Sequence, residues 1–217
     1  MRFQAVLFDF DGTLVDSEAL HYQSWMEVLA PFHIDYTEHE FCDEFSGVPT
    51  LEAARILKQR HQLTSSPSAL CEQKNQIFVA SAASVFPRLM HFASEVVEQT
   101  AKQCPIALVT GSSRAEAIPV LKHYKLYALF SVIVCKDDVT KPKPHPEPYL
   151  QALNALEVAP HNAVAIEDTF TGLTSAKAAG LTALAVPNTH SKKQDLNIAD
   201  QTFTDLESTY TWLLGQN

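Results

Sequence analysis

The chain has 217 residues, of which 46% are apolar and 19% charged, and a formal net charge of −9. That length suits one large domain or a core carrying a smaller insertion, and the composition is that of a globular protein rather than a disordered or fibrous one. A net acidic surface repels nucleic acid and anionic lipid, so neither is expected as a partner, and an anionic substrate needs positive potential built locally.

The first predicted element is a buried strand, Ala5–Phe8. Its apolar run stops at Asp9, too short for the core of a signal peptide. No later stretch approaches the ~18 apolar residues of a membrane span, so a cytoplasmic protein without a membrane partner is expected. Residues 16–87 lack buried-strand runs and read as helices. One covers 17–29 and is closed by Pro31. A second runs from Thr50 to about Gln59, and a third from Ser68 to about Ala83 after the Ser65-Ser66-Pro67 break. Four further apolar runs, at 106–109, 132–135, 163–166 and 181–186, read as buried strands. Between them, residues 149–156 place Tyr149, Leu150, Leu153 and Leu156 on one helical face. Continuous apolar strands separated by helices predict a parallel sheet covered on both faces. The fold class is therefore α/β: a Rossmann-like parallel-sheet core formed by residues 1–15 and 88–217, with an α-helical cap, 16–87, inserted after the first strand. The four cysteines (Cys42, Cys71, Cys104, Cys135) form no CxxC pair and are expected to be reduced thiols.

Three of the predicted strands run into polar residues. Ligands of open parallel sheets sit beyond the carboxyl ends of the strands, so one crevice can collect groups far apart in sequence. In Asp9-Phe-Asp-Gly-Thr13, residues two apart in an extended chain point the same way, about 6–7 Å apart. Asp9 and Asp11 then face one site while Phe10 packs inward, a spacing that suits a nucleophile and a proton donor. A strand followed by an Asp-Gly turn asks for the same residues without any chemistry. Val109-Thr-Gly-Ser-Ser113 precedes a helical pattern, and hydroxyls with free N–H groups at a helix start bind anions. Thr110, Gly111 and Ser112 are the candidates, although Ser and Thr are favoured at an N-cap in any case. In Lys141-Pro-Lys-Pro-His-Pro-Glu-Pro148 four prolines stiffen a loop that can hold a lysine in place, or that is simply a solvated basic turn. In Ile166-Glu-Asp-Thr-Phe-Thr-Gly172, adjacent acids after a buried strand can bind a hard cation through oxygen, or cap the next helix.

Taken together and in this order, the four motifs resemble those of the haloacid dehalogenase superfamily almost end to end. Asp9-Phe-Asp-Gly-Thr13 is similar to its first motif, Thr110 to its second, Lys143 to its third, and Glu167-Asp168 with Gly172 to its fourth. Lys143 rather than Lys141 puts Tyr149 at the family spacing. A helical insertion after the first motif resembles the subgroup that includes sugar-phosphate and phosphoglycolate phosphatases and β-phosphoglucomutase.

The resemblance implies a magnesium-dependent phosphatase acting on a small phosphorylated metabolite. Asp9 attacks phosphorus, and Asp11 protonates the leaving alkoxide and then activates the hydrolytic water. Carboxylate and phosphate dianion repel by roughly 8 kcal/mol at 4 Å and an effective dielectric of 20. Mg2+ would offset this, held by Asp9, the backbone carbonyl of Asp11, Asp168 and, through water, Glu167. Lys143, Thr110 and Gly111 would hold the phosphoryl oxygens. On the substrate side the candidates are His21, Thr50, Lys74 and Ser112, with Asn75 beside Lys74. β-Phosphoglucomutase carries an arginine where Thr50 stands here, which favours a sugar or polyol phosphatase over a mutase. His21 and Lys74-Asn75 match the mutase pattern and keep that alternative open. A metal-free dehalogenase leaves Asp11, Glu167 and Asp168 without a task, and a receiver-like phosphoacceptor lacks both the insertion and an acid two residues past the nucleophile. A monomer is the simplest oligomeric expectation.

Overall fold

The computed structural model describes residues 2–82 and 86–216. The six-stranded sheet contains β1 (Ala5–Phe8), β4 (Ile106–Val109), β5 (Val132–Val134), β6 (Ala163–Glu167), β7 (Thr182–Ala185) and β8 (Gln201–Thr202) in the spatial order β5-β4-β1-β6-β7-β8. Every neighbouring pair is parallel. β1 lies between β4 and β6, so the chain leaves it first toward one edge and later toward the other. That reversal opens a crevice at the carboxyl ends of the central strands.

The pleat sorts the buried strand residues by size. Val6, Phe8, Ile106, Leu108, Val164, Ile166 and Leu184 face one side, with α5 (Ala93–Ala101), α6 (Arg114–His123) and α9 (Leu206–Gly215) packed on them. Ala5, Leu7, Ala107, Ala163, Ala165, Ala183 and Ala185 face the other. There α7 (Glu147–Leu156) and α8 (Phe170–Ala178) pack through Tyr149, Ala152, Leu153, Leu173 and Ala176. Alternate side chains of a strand point to opposite faces, and the short alanine side lets α7 and α8 approach the sheet closely.

Between the two-residue strands β2 (Val15–Asp16) and β3 (Arg88–Leu89), which pair antiparallel, lie α1 (Glu18–Leu29), α2 (Glu38–Phe45), α3 (Thr50–His61) and α4 (Pro67–Ala82). These helices bury an apolar cluster of their own, including Trp25, Leu29, Phe41, Phe45, Leu57 and Leu70. The sequence reading did not place α2 separately. Its signal was present: Thr37 accepts from the Glu40 N–H and the Glu40 carboxylate accepts from the Thr37 N–H, a reciprocal capping box. The expected end of α4 at Ala83 lies outside the described residues. All four cysteines are free thiols. Among the described residues no helix is long and apolar enough to cross a membrane.

Candidate active site

The three central strands deliver their polar ends to one place. Asp9 follows β1, Thr110 follows β4, and Glu167 ends β6 with Asp168 next. Lys143 comes from the loop before α7, and its ammonium saturates its donors there. It donates to Asp9 Oδ1 at 2.6 Å, to Glu167 Oε1 at 2.6 Å and to the Val109 carbonyl at 2.8 Å. Lys141 is exposed, so of the two lysines it is Lys143 whose ammonium reaches Asp9. The Tyr149 hydroxyl donates to the same Glu167 oxygen at 2.6 Å. Asp168 accepts from Asn188 Nδ2 at 2.8 Å, and that amide also donates to the Gly12 carbonyl at 3.0 Å. Asn188 is itself fixed, because its Oδ1 accepts from the N–H groups of His190 and Ser191.

One carboxylate oxygen from each of Asp9, Glu167 and Asp168 lies within 4.8 Å of the others, all three residues being buried. Burial first, and then the charge of Glu167, push the Asp9 carboxyl up to about 7 although Lys143 is beside it. Burial, with Asp9 and Glu167 adding to it, raises Asp168 well above the usual carboxylate range. Burial alone would lower the Lys143 ammonium, but Asp9 and Glu167 outweigh it and hold the group above its ordinary value. Three acids around one ammonium leave a deficit of about two positive charges if all are ionised. A hard dication fits such an all-oxygen donor set.

Asp11 is held differently. Its carboxylate accepts from Ser17 and Ser112 hydroxyls, each at 2.6 Å, and from Thr110 at 3.3 Å, with His21 Nε2 3.5 Å away. Burial, the largest single influence, works against ionisation, yet His21 and the two serines outweigh it and keep Asp11 well below the usual range. Ser17 stands at the N-cap of α1 without capping it by side chain, since its hydroxyl is committed to Asp11.

A cavity of about 400 Å³ opens over this floor. Asp9, Asp11, Gly111, Ser112, Lys143 and Asp168 line it from the core, and His21, Thr50 and Lys74 from the helical segment. Of the residues singled out in the sequence, Thr110 and Glu167 do not line it. The Thr110 hydroxyl is turned to Asp11 and accepts from the Ser112 N–H, and Glu167 lies beneath, bridging Lys143 and Tyr149. His21 stacks on Phe78, with 4.3 Å between ring centroids, and its Nδ1 is 2.8 Å from Lys74 Nζ. Burial pushes the Lys74 ammonium down to about 8. Trp25 and Leu29 are core residues.

Sequence reasoning missed Ser17, Asn188 and Glu116, and it used Tyr149 for helix patterning and motif spacing without assigning it a place in the site. Asn188 had one positional clue, since it lies just past a predicted strand, as Asp9, Thr110 and Asp168 do.

A sequence model of the haloacid dehalogenase-like hydrolases matches residues 6–186. Protein CbbY of Rhodobacter capsulatus is 31% identical, the match covering 97% of this chain and 97% of that protein. Fructose-1-phosphate phosphatase YqaB of Escherichia coli is 30% identical over 85% of this chain and 97% of its own. Among solved structures, a mutant of CbbY from Rhodobacter sphaeroides in complex with xylulose-(1,5)bisphosphate superposes with a TM-score of 0.81 at 26% identity, covering 94% of each chain.

Proposed function

The chain belongs to the haloacid dehalogenase-like hydrolases, and on that premise we propose that it is a magnesium-dependent phosphatase of a small phosphomonoester, a sugar or polyol phosphate. The observation that carries the reading is Asp9 on the floor of a cavity, paired with Lys143 and flanked by two further buried acids. One relative is named for a sugar monophosphate and another holds a sugar bisphosphate, so the neighbourhood is that of phosphorylated carbohydrates.

In this reading Asp9, Asp168 and the Asp11 carbonyl would hold magnesium, and Glu167 would act on it through water. When bound, the ion supplies the positive charge that the three acids lack and stabilises the phosphoryl oxygens. Asp9 is the nucleophile: its carboxylate oxygen bonds to phosphorus as the bond to the leaving oxygen breaks. Lys143, fixed at Asp9, neutralises charge on the phosphoryl group, and the Gly111 N–H, which makes no hydrogen bond among the described residues, donates to it. Asp11 gives a proton to the leaving oxygen and takes one from the water that cleaves the aspartyl-phosphate. Held by Ser17 and Ser112 as it is, Asp11 stays ionised. To deliver a proton it must first lose those donors and take one up from solvent as substrate enters, and it then passes that proton to the leaving oxygen. The helical segment 16–87 acts as the cap, keeping bulk water out and contacting the leaving group through His21, Thr50 and Lys74.

The test is phosphate release from a panel of sugar and polyol phosphates with and without magnesium, with Asp9→Asn as the control. Release that needs magnesium and vanishes in the variant is expected. Halide release without metal contradicts the reading. So does glucose 6-phosphate formed from β-glucose 1-phosphate with a bisphosphate primer, which indicates a mutase.

A further inference from the structure

Glu116 is the third residue of α6, and its carboxylate is 3% exposed yet lines the cavity. One oxygen, Oε2, is occupied: it accepts from the N–H and the hydroxyl of Ser113, both at 2.6 Å. The other, Oε1, accepts no hydrogen bond among the described residues, with Lys74 Nζ at 3.8 Å as its ion-pair neighbour. Lys136 Nζ is 3.8 Å from Oε2. Nearby on α4, Asn75 lines the same cavity, and its Oδ1 is buried with no hydrogen-bond partner among the described residues. Contacts step from Asp11 to His21 at 3.5 Å, to Lys74 at 2.8 Å and to Glu116 at 3.8 Å. Glu116 therefore lies on the Asp11 side of the cavity, where the leaving group belongs.

Two acceptor oxygens without donors make this wall a receptor for hydroxyl groups, because a buried acceptor left unpaired is costly. Two lysines without Glu116 would make it a receptor for a second anion. The carboxylate cancels one of those two charges, so the wall keeps a single net positive charge and holds a second anion less tightly than two free lysines would. Lys74 and Lys136 in turn keep Glu116 ionised against its burial, which alone would raise its pKa.

We propose that Glu116, with Asn75, sets leaving-group specificity. Glu116 Oε1 and Asn75 Oδ1 accept hydroxyls of an uncharged polyhydroxylated leaving group, and the Glu116 charge, by offsetting one of the two lysines, weakens the hold on a second phosphate. This rests on the phosphatase reading, but binding tests it without turnover.

The experiment is titration calorimetry with magnesium in the Asp9→Asn background, using fructose 1-phosphate, fructose 1,6-bisphosphate and p-nitrophenyl phosphate. The readout is the ratio of monophosphate to bisphosphate affinity. E116Q, which keeps the side-chain shape, is expected to shift that ratio about tenfold or more toward the bisphosphate. Its p-nitrophenyl phosphate affinity is expected to stay the same, since that leaving group carries neither hydroxyl nor second charge. An unchanged ratio, equal losses for all three ligands, or no binding of either sugar phosphate overturns the proposal. Should E116Q fail to fold by its melting curve, Asn75→Leu decides. It leaves the α6 cap intact and is expected to weaken the sugar phosphates while sparing p-nitrophenyl phosphate; loss for all three ligands or for none overturns the proposal. Absence of phosphate release by the unmodified protein counts against the phosphatase reading only, since these affinities do not depend on turnover.

Discussion

At Asp9 three influences compete: burial and Glu167 favour the neutral acid, while Lys143 favours the carboxylate. The balance, near 7 against an ordinary 3.8, has a consequence for stability. A carboxyl whose pKa is raised by folding lets the folded protein bind a proton that the unfolded chain releases. Its stabilisation is complete below the unfolded value and is lost as pH rises through the folded one. Asp168 is shifted the same way, whereas Asp11, shifted downward, acts only below about 3.8. In the absence of a divalent ion, the melting temperature is expected to fall between about pH 4 and pH 7. Magnesium is expected to raise it, and by more at the upper end of that window, where it meets ionised acids. A metal-free melting temperature that rises across the window, or a magnesium effect largest at the acidic end, contradicts this account. Asp9 and the paired acids were legible because each sits in a short motif at the end of an apolar run, and Lys143 because it sits in a proline-rich loop. Asn188 and Ser17 were not. Each acts on a residue far along the chain or outside its usual capping role, and a lone Asn or Ser in a polar stretch carries no period.

Among the elements, α8 shows how closely helix and strand are fitted at the acids. A Cβ added at Gly172 would lie 1.9 Å from Glu167 Oε2, so only glycine lets the first turn of α8 sit on that carboxylate. Gly172→Ala is expected to displace Glu167 from Lys143 and Tyr149 and to weaken magnesium binding ten- to a hundredfold, as loss of the groups around a metal does. Calorimetric titration with magnesium checks this, and an unchanged affinity means that Glu167 has no part in holding the ion. The strands β1, β4, β6 and β7 were visible in the sequence because both faces are buried, so apolar residues run without interruption. The pairs β2–β3 and β7–β8 involve two-residue strands, too short for any pattern, and their pairing is decided by tertiary contacts.

Across the molecule, one face of the sheet is built from large residues and the other mainly from alanine. The alanine side draws α7 close enough for Tyr149 to reach Glu167. The helical segment meets the core through Lys74 and Glu116, through Lys193 donating to Asp43 at 2.6 Å, and through Gln194 donating to the Ser46 carbonyl at 3.1 Å. These contacts tie the helical segment to the core, and none was foreseen, because pairings between positions far apart in the chain leave no mark in a single sequence. The central claim is that Asp9 carries the phosphoryl group in transit. Its most direct test is acid quench of the protein within milliseconds of mixing with magnesium and a turned-over sugar phosphate, followed by mass spectrometry of the peptide containing Asp9. A phosphoryl adduct on Asp9 that forms and decays within the turnover time is the expected result. Phosphate release with no adduct at Asp9 at any time, or an adduct on another residue, contradicts it.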